Sequence, residues 1–144
     1  PDLPTSSTKE VSYFEKLQRI RPDFDYGCIS RCHGWVRTSM GPGVVYDLVR
    51  NETDGKRSRT LQNWLASRDV WAQQEPLLAA VRRFTNELKR HCILVRDLTH
   101  PNLCVKELID GSFRLVAVDG IGLIMPCPSL ITGNGMPGER LTST

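Results

Sequence analysis

Apolar residues recur at helical spacing in two stretches of this chain and gather into short runs elsewhere. Val11, Phe14, Leu17 and Ile20 repeat with the period of one helix face. They predict an amphipathic helix over residues 10–21, halted by Pro22. Ser7-Thr8-Lys9-Glu10 matches a capping box, with Ser7 as N-cap and Glu10 reaching back. A second stripe, Leu77, Leu78, Val81, Phe84 and Leu88, predicts a helix over residues 75–91 with Pro76 in its first turn. Between them, residues 34–38 and 44–49 are β-rich and read as a hairpin turning through Met40-Gly41-Pro42-Gly43. Residues 51–58 read as a loop. Thr60 then caps a short helix over residues 61–66, with Leu61, Trp64 and Leu65 on one face. Beyond residue 91 come three short apolar runs, 93–95, 103–105 and 113–118. Asp110-Gly111, a hairpin signal, separates the last two.

This alternation of helices and hairpins predicts an α+β fold in one domain over residues 9–125, since 144 residues suffice for a single core. Residues 1–8 read as a flexible arm. Residues 126–144, rich in Gly, Pro, Ser and Thr without periodicity, read as a flexible tail.

Charge and cysteine usage narrow the function classes. The net charge of +3 is spread over Lys56-Arg57, Arg82-Arg83 and Lys89-Arg90, each interrupted by acidic or apolar residues. A nucleic-acid binder shows a stronger basic stripe, so these are expected to be solvated faces. No stretch approaches the roughly 20 apolar residues that span a bilayer, and no signal-peptide pattern opens the chain. The first residue is not Met, which leaves room for sequence ahead of Pro1. The five cysteines (28, 32, 92, 104, 127) are odd in number and irregularly spaced, which predicts reduced thiols and a cytoplasmic protein. Cys28-x-x-x-Cys32-His33 has the look of a zinc half-site but lacks a second pair, so these cysteines read as small buried hydrophobes.

The candidate chemistry lies in residues 93–122. A short strand precedes Val95-Arg96-Asp97-Leu98-Thr99-His100-Pro101-Asn102, a hairpin follows, and then Val118-Asp119-Gly120-Ile121-Gly122. Phosphoryl transfer asks a protein mainly for positioning and charge compensation. One carboxylate, Asp97, suits the proton of an attacking hydroxyl. The amide oxygen of Asn102 and the carboxylate of Asp119 suit Mg²⁺, a hard cation that prefers oxygen.

The order of these segments resembles a protein-kinase catalytic loop followed by the metal-binding turn: Arg96, Asp97, Leu98 and Asn102 match in register, and Asp119-Gly120 follows the hairpin. The more detailed resemblance is to the YrbL family of PhoP regulatory network proteins. Three segments carry it: His33-Gly34-Trp35-Val36 leading to Gly43-Val44-Val45-Tyr46-Asp47, Pro101-Asn102-Leu103-Cys104, and Asp119-Gly120-Ile121-Gly122. It extends over residues 9–122. The resemblance implies a truncated kinase-like fold, with a partial N-lobe and hinge over residues 9–50 and a C-lobe over 51–125. Within it, residues 10–17 correspond to the C-helix, and the backbone of Asp47, Leu48 and Val49 would face adenine. Glu10 would act as the C-helix acid, although its capping-box reading accounts for it equally well. Asp97, Arg96 and Glu10 would then form the catalytic set. Asn102 and Asp119 would hold Mg²⁺ and ATP.

Several positions depart from the kinase pattern. Val95 replaces the loop His, Thr99 replaces the loop Lys, Ile121 stands after Gly120 where the metal-binding turn differs, and no Gly-x-Gly-x-x-Gly precedes residues 10–17. The sequence therefore leaves two functions open. One is a kinase-like regulatory protein whose complete form binds Mg-nucleotide and phosphorylates a hydroxyl. The other is a non-catalytic, pseudokinase-like scaffold for a protein partner.

Overall fold

The computed structural model describes residues 5–124; the expected tail and the first part of the expected arm lie outside them. Helix α1 spans Thr5–Ile20. It starts ahead of the expected residue 10 because neither Gly nor Pro interrupts the chain between Pro4 and the apolar stripe. Ser7 is therefore inside the helix and is not its N-cap. Val11, Phe14 and Leu17 are buried as expected, Glu10 is buried beside them, and Ile20 is exposed.

The connector after α1 reaches Ile29, which forms a parallel bridge to Ala117. The Ser30 N–H donates to Ala117 O at 2.8 Å and the Ala117 N–H to Cys28 O at 2.9 Å. Strands β1 (Cys32–Thr38) and β2 (Gly41–Tyr46) then pair antiparallel, with Trp35 opposite Val44 and Thr38 opposite Gly41. The turn is Ser39-Met40, and the expected Gly-Pro-Gly turn is instead the start of β2. Pro42 is tolerated there because a two-stranded sheet has open edges where a missing N–H breaks no ladder. Residues 47–49, expected as strand, continue beyond the pairing.

A three-stranded antiparallel sheet comprises β3 (Arg59–Thr60), β5 (Leu103–Glu107) and β6 (Phe113–Ala117), in the order β3-β5-β6. Strand β4 (Ile93–Val95) pairs antiparallel with β7 (Ile121–Ile124). Helix α2 (Leu61–Ala66) starts where expected, with the Thr60 hydroxyl accepting from the Asn63 N–H at 3.1 Å. Trp64 is buried against Phe113, and the Arg59 guanidinium lies 3.8 Å from its ring centroid. Leu65, expected on the same face, is exposed. A short helix α3 (Asp69–Ala72) precedes α4 (Gln74–His91), which packs on β6. The buried face of α4 is Leu77, Ala80 and Phe84; Leu78 and Val81, expected in the stripe, are exposed.

The core joins these parts into a mixed α+β structure around Ile29, Val105, Leu115, Ala117 and Ile121. Cys28, Cys32 and Cys104 are free and buried, and burial pushes the Cys28 thiol up to about 11, where it is unreactive. Cys92 is disulfide-bonded, so the reading of every cysteine as a reduced thiol does not hold for it. Among the described residues, no helix is long and apolar enough to cross a membrane.

Candidate functional site

The site is built by folding the loop after β4 onto the turn between β6 and β7. The Arg96 N–H donates to Gly120 O at 2.6 Å, which lays residues 96–97 against Asp119-Gly120. Gly120 has φ +74°, and a Cβ there would lie 3.0 Å from the Asp97 nitrogen and 3.1 Å from its Cβ. Only glycine accommodates both that backbone conformation and that approach. On the other side, the Val118 N–H donates to Asn102 O at 3.0 Å, tying the loop to the end of β6. The loop itself is closed by a 3-10 turn, His100–Asn102, in which the Asn102 N–H donates to Thr99 O at 3.0 Å.

These backbone ties bring the predicted side chains together. Asn102 Nδ2 donates to Asp97 Oδ2 at 3.0 Å and to Asp97 O at 3.3 Å. Asp119 Oδ1 accepts the Gly120 N–H at 2.7 Å. The amide oxygen of Asn102 and the second carboxylate oxygen of Asp119 then have no hydrogen-bond partner among the described residues. Glu10, Arg96, Asp97, Asn102 and Asp119 all line one cavity of about 890 Å³.

Glu10 is the unusual member. It is only 6% exposed, and its Oε1 is buried without a hydrogen-bond partner among the described residues. Burial raises its carboxyl above the ordinary range. Hydrogen bonding from Tyr46 opposes this, the Asp119 charge reinforces it, and the Ile121 N–H and Arg96 pull it back down. The Tyr46 hydroxyl is pushed up by its own burial and then by the Glu10 charge.

Trp35, Val44 and Tyr46 form a further wall of the cavity, and the sequence reading did not single them out. A signal for them existed. Val44 and Tyr46 alternate onto one face of β2, and Trp35 lies opposite Val44 in the register.

Asp47, Leu48 and Val49 are not brought to this cavity. They line a second one, of about 250 Å³. The Asp47 N–H donates to Arg31 O at 2.9 Å and its carbonyl accepts from the Ser30 hydroxyl at 2.7 Å. The backbone edge that adenine would read is therefore already engaged at Asp47. Its carboxylate is held by His33 Nε2 at 2.6 Å.

The donor set suits Mg²⁺ in a specific way. No cluster of three or more His, Cys, Asp and Glu side chains forms a cage among the described residues. Asn102 and Asp119 offer two oxygens without a hydrogen-bond partner among the described residues, and Mg²⁺ is commonly held by one or two protein oxygens together with waters and phosphate.

The sequence aligns with the family model described as PhoP regulatory network protein YrbL over residues 4–130. It is also 30% identical over 118 residues to proteins named "Uncharacterized protein YrbL" from Escherichia coli (strain K12) and Shigella flexneri. Each match covers 79% of this chain and 53% of the relative, so the chain spans about half the length of the curated relatives it matches. With the match extending from α1 through the loop after β4 to β7, the chain belongs to the family of PhoP regulatory network protein YrbL.

Proposed function

We propose that this chain is a kinase-like regulatory module of the YrbL type, which binds a nucleotide through Mg²⁺ and, in the complete protein, transfers a phosphoryl group to a hydroxyl. The observation that carries this reading is the convergence of Asp97, Asn102 and Asp119 in one cavity with a buried, half-partnered Glu10. Asn102 and Asp119 would hold Mg²⁺ through their unpartnered oxygens. The ion supplies charge compensation to the phosphates. Asp97, oriented by the Asn102 amide at 3.0 Å, is placed to accept the proton of the attacking hydroxyl. Arg96 adds a cation to the same wall. The unpartnered Oε1 of Glu10 is the atom a lysine of a kinase-like strand would meet.

The test is a thermal-unfolding titration with Mg-ATP, because a ligand that binds only the folded state raises the melting temperature. Asp119→Ala should abolish the Mg²⁺-dependent rise while leaving the unliganded chain folded. A rise of the same size in that variant would overturn the assignment.

Thr99 favours a second reading, in which the module scaffolds a protein partner without catalysis. A kinase places a lysine there, and its loss removes a cation from beside the transferring phosphate. Assaying phosphate transfer from ATP by the full-length protein separates the two. Turnover that Asp97→Asn eliminates favours the enzyme, and absence of turnover despite nucleotide binding favours the scaffold.

A further inference from the structure

The second cavity, bordered by the connector after α1, residues 47–50 and the β5-β6 pair, gathers positive charge from separate parts of the sequence. Arg31, Arg50, Lys106 and Arg114 line it together with Tyr26 and Ser30. Lys106 and Arg114 lie directly opposite one another in the β5-β6 register, an arrangement in which like charges destabilise a sheet. Neighbouring acids answer them in part: Glu52 lies 3.5 Å from Lys106, and Glu87 and Asp25 lie 3.3 and 3.8 Å from Arg114. Even so, Arg114 Nε is buried without a hydrogen-bond partner among the described residues.

The other two cations are less compensated. Arg31 lies over the Tyr26 ring at 5.2 Å, and Arg50 Nη1 donates to Gly55 O at 3.0 Å. Neither forms an ion pair among the described residues. Asp47, the acid of the lining, is engaged by His33. Arg114 also occupies the space where a side chain at position 27 would go, so Gly27 is what lets this guanidinium reach the cavity.

We propose that this cavity is an anion site for a phosphate group, free or as the monoester of a soluble small molecule, held by Arg31, Arg50, Lys106 and Arg114. An oxyanion satisfies what the protein leaves open: two guanidinium groups without an ion pair among the described residues, and a like-charge cross-strand pair. At about 250 Å³ the space admits a phosphate with a short substituent and is small for a whole nucleotide. The site is separate from the cavity of Asp97 and Asp119 and does not depend on its chemistry.

The experiment titrates inorganic phosphate into the full chain and follows thermal unfolding against sodium chloride at matched ionic strength. The wild type should show a saturable rise in melting temperature with phosphate and none with chloride. Arg31→Gln and Arg50→Gln, which alter half-buried and exposed side chains outside the core, should each weaken the apparent affinity about tenfold, by loss of one charge-assisted hydrogen bond. Arg96→Gln should leave it unchanged. Glycerol phosphate binding more tightly than inorganic phosphate would identify the monoester as the preferred form. The proposal is overturned if phosphate has no effect beyond ionic strength, if both Arg31 and Arg50 variants respond like the wild type, or if only Arg96→Gln abolishes the response. The last result would place the anion in the first cavity. Should either variant fail to fold, Lys106→Gln supplies the same comparison.

Discussion

At the scale of single residues, two positions carry costs that stability measurements can read. Glu10 is a buried acid whose carboxyl is raised chiefly by desolvation. Its folded-state value lies above the ordinary 4.5, so the folded chain holds this proton more tightly than the unfolded chain. The stability linked to that proton is fully present below pH 4.5 and is lost as pH rises through the raised folded value. Glu10→Gln removes the titrating charge while keeping the shape. We expect it to stabilise the chain at pH 7 by about 1 kcal/mol, near the low end of the cost of an unsatisfied buried polar group, and to make no difference at pH 4. Urea titrations at the two pH values check this, and a variant less stable than wild type at pH 7 would contradict it. Gly120 carries the opposite constraint. An L side chain at its φ of +74° costs about 1–2 kcal/mol, and the methyl would also press on the Asp97 backbone at 3.0 Å. Gly120→Ala should therefore destabilise by at least that amount and weaken any Mg-nucleotide response along with it. A variant with unchanged melting temperature would show that the turn has another conformation open to it. The Asp97 and Asn102 positions were legible from residue types and spacing. The burial of Glu10 was not, because the capping-box pattern explains the same acid as a surface residue and local sequence does not report what covers it.

At the scale of elements, local signals succeeded where the deciding interaction is itself local. Helix α2 began at the predicted residue because the Thr60 hydroxyl accepts from Asn63, a contact three residues away. Thr60→Ala should cost about 1 kcal/mol, the usual worth of an N-cap, seen as a lower urea midpoint. Replacement by Ser, which keeps the hydroxyl, should recover most of the loss; failure of Ser to do so would assign the effect to the β3 pairing of Thr60 with Cys104 instead. Long-range choices were less legible. Helix α4 has apolar residues on more than one face, and the stripe through Leu78 and Val81 is as hydrophobic as the one through Leu77, Ala80 and Phe84. Which face turns inward is fixed by packing on β6, and the small Ala80 gives little sign in a hydrophobicity pattern. The same holds for β3 and β7, whose identity as strands comes from partners distant in sequence, Val105 with Cys104 and residues 93–95 respectively.

At the scale of the whole molecule, the sheets are small and separate, so the cavity depends on what holds them together. Strand β6 is the hub: it pairs with β5, packs against α4, and bridges through Ala117 to Ile29 in the connector after α1. That bridge anchors the part carrying Glu10, Trp35 and Tyr46 to the part carrying Asp97, Asn102 and Asp119. The motif order in the sequence foretold the second group as a unit, since a loop, a hairpin and a turn lie next to one another along the chain. It could not foretell the wall that α1 and the β1-β2 hairpin contribute, which rests on contacts between distant segments: α1 against β7, and Ile29 against Ala117. Ile29 is fully buried at that contact. Ile29→Ala should cost about 2–5 kcal/mol, the range for deleting a core side chain of this size, a large share of the roughly 5–15 kcal/mol that folds a typical domain. If the two parts fold as one unit, the urea transition moves to a lower midpoint with its slope unchanged, because the same surface is exposed in a single step. If the connector is instead the weak seam of the structure, the variant shows a shallower or divided transition, with Trp35 fluorescence changing before the loss of helical signal. A loss below about 1 kcal/mol, less than core truncations of this kind produce, would mean that the bridge is not what joins the two walls of the cavity.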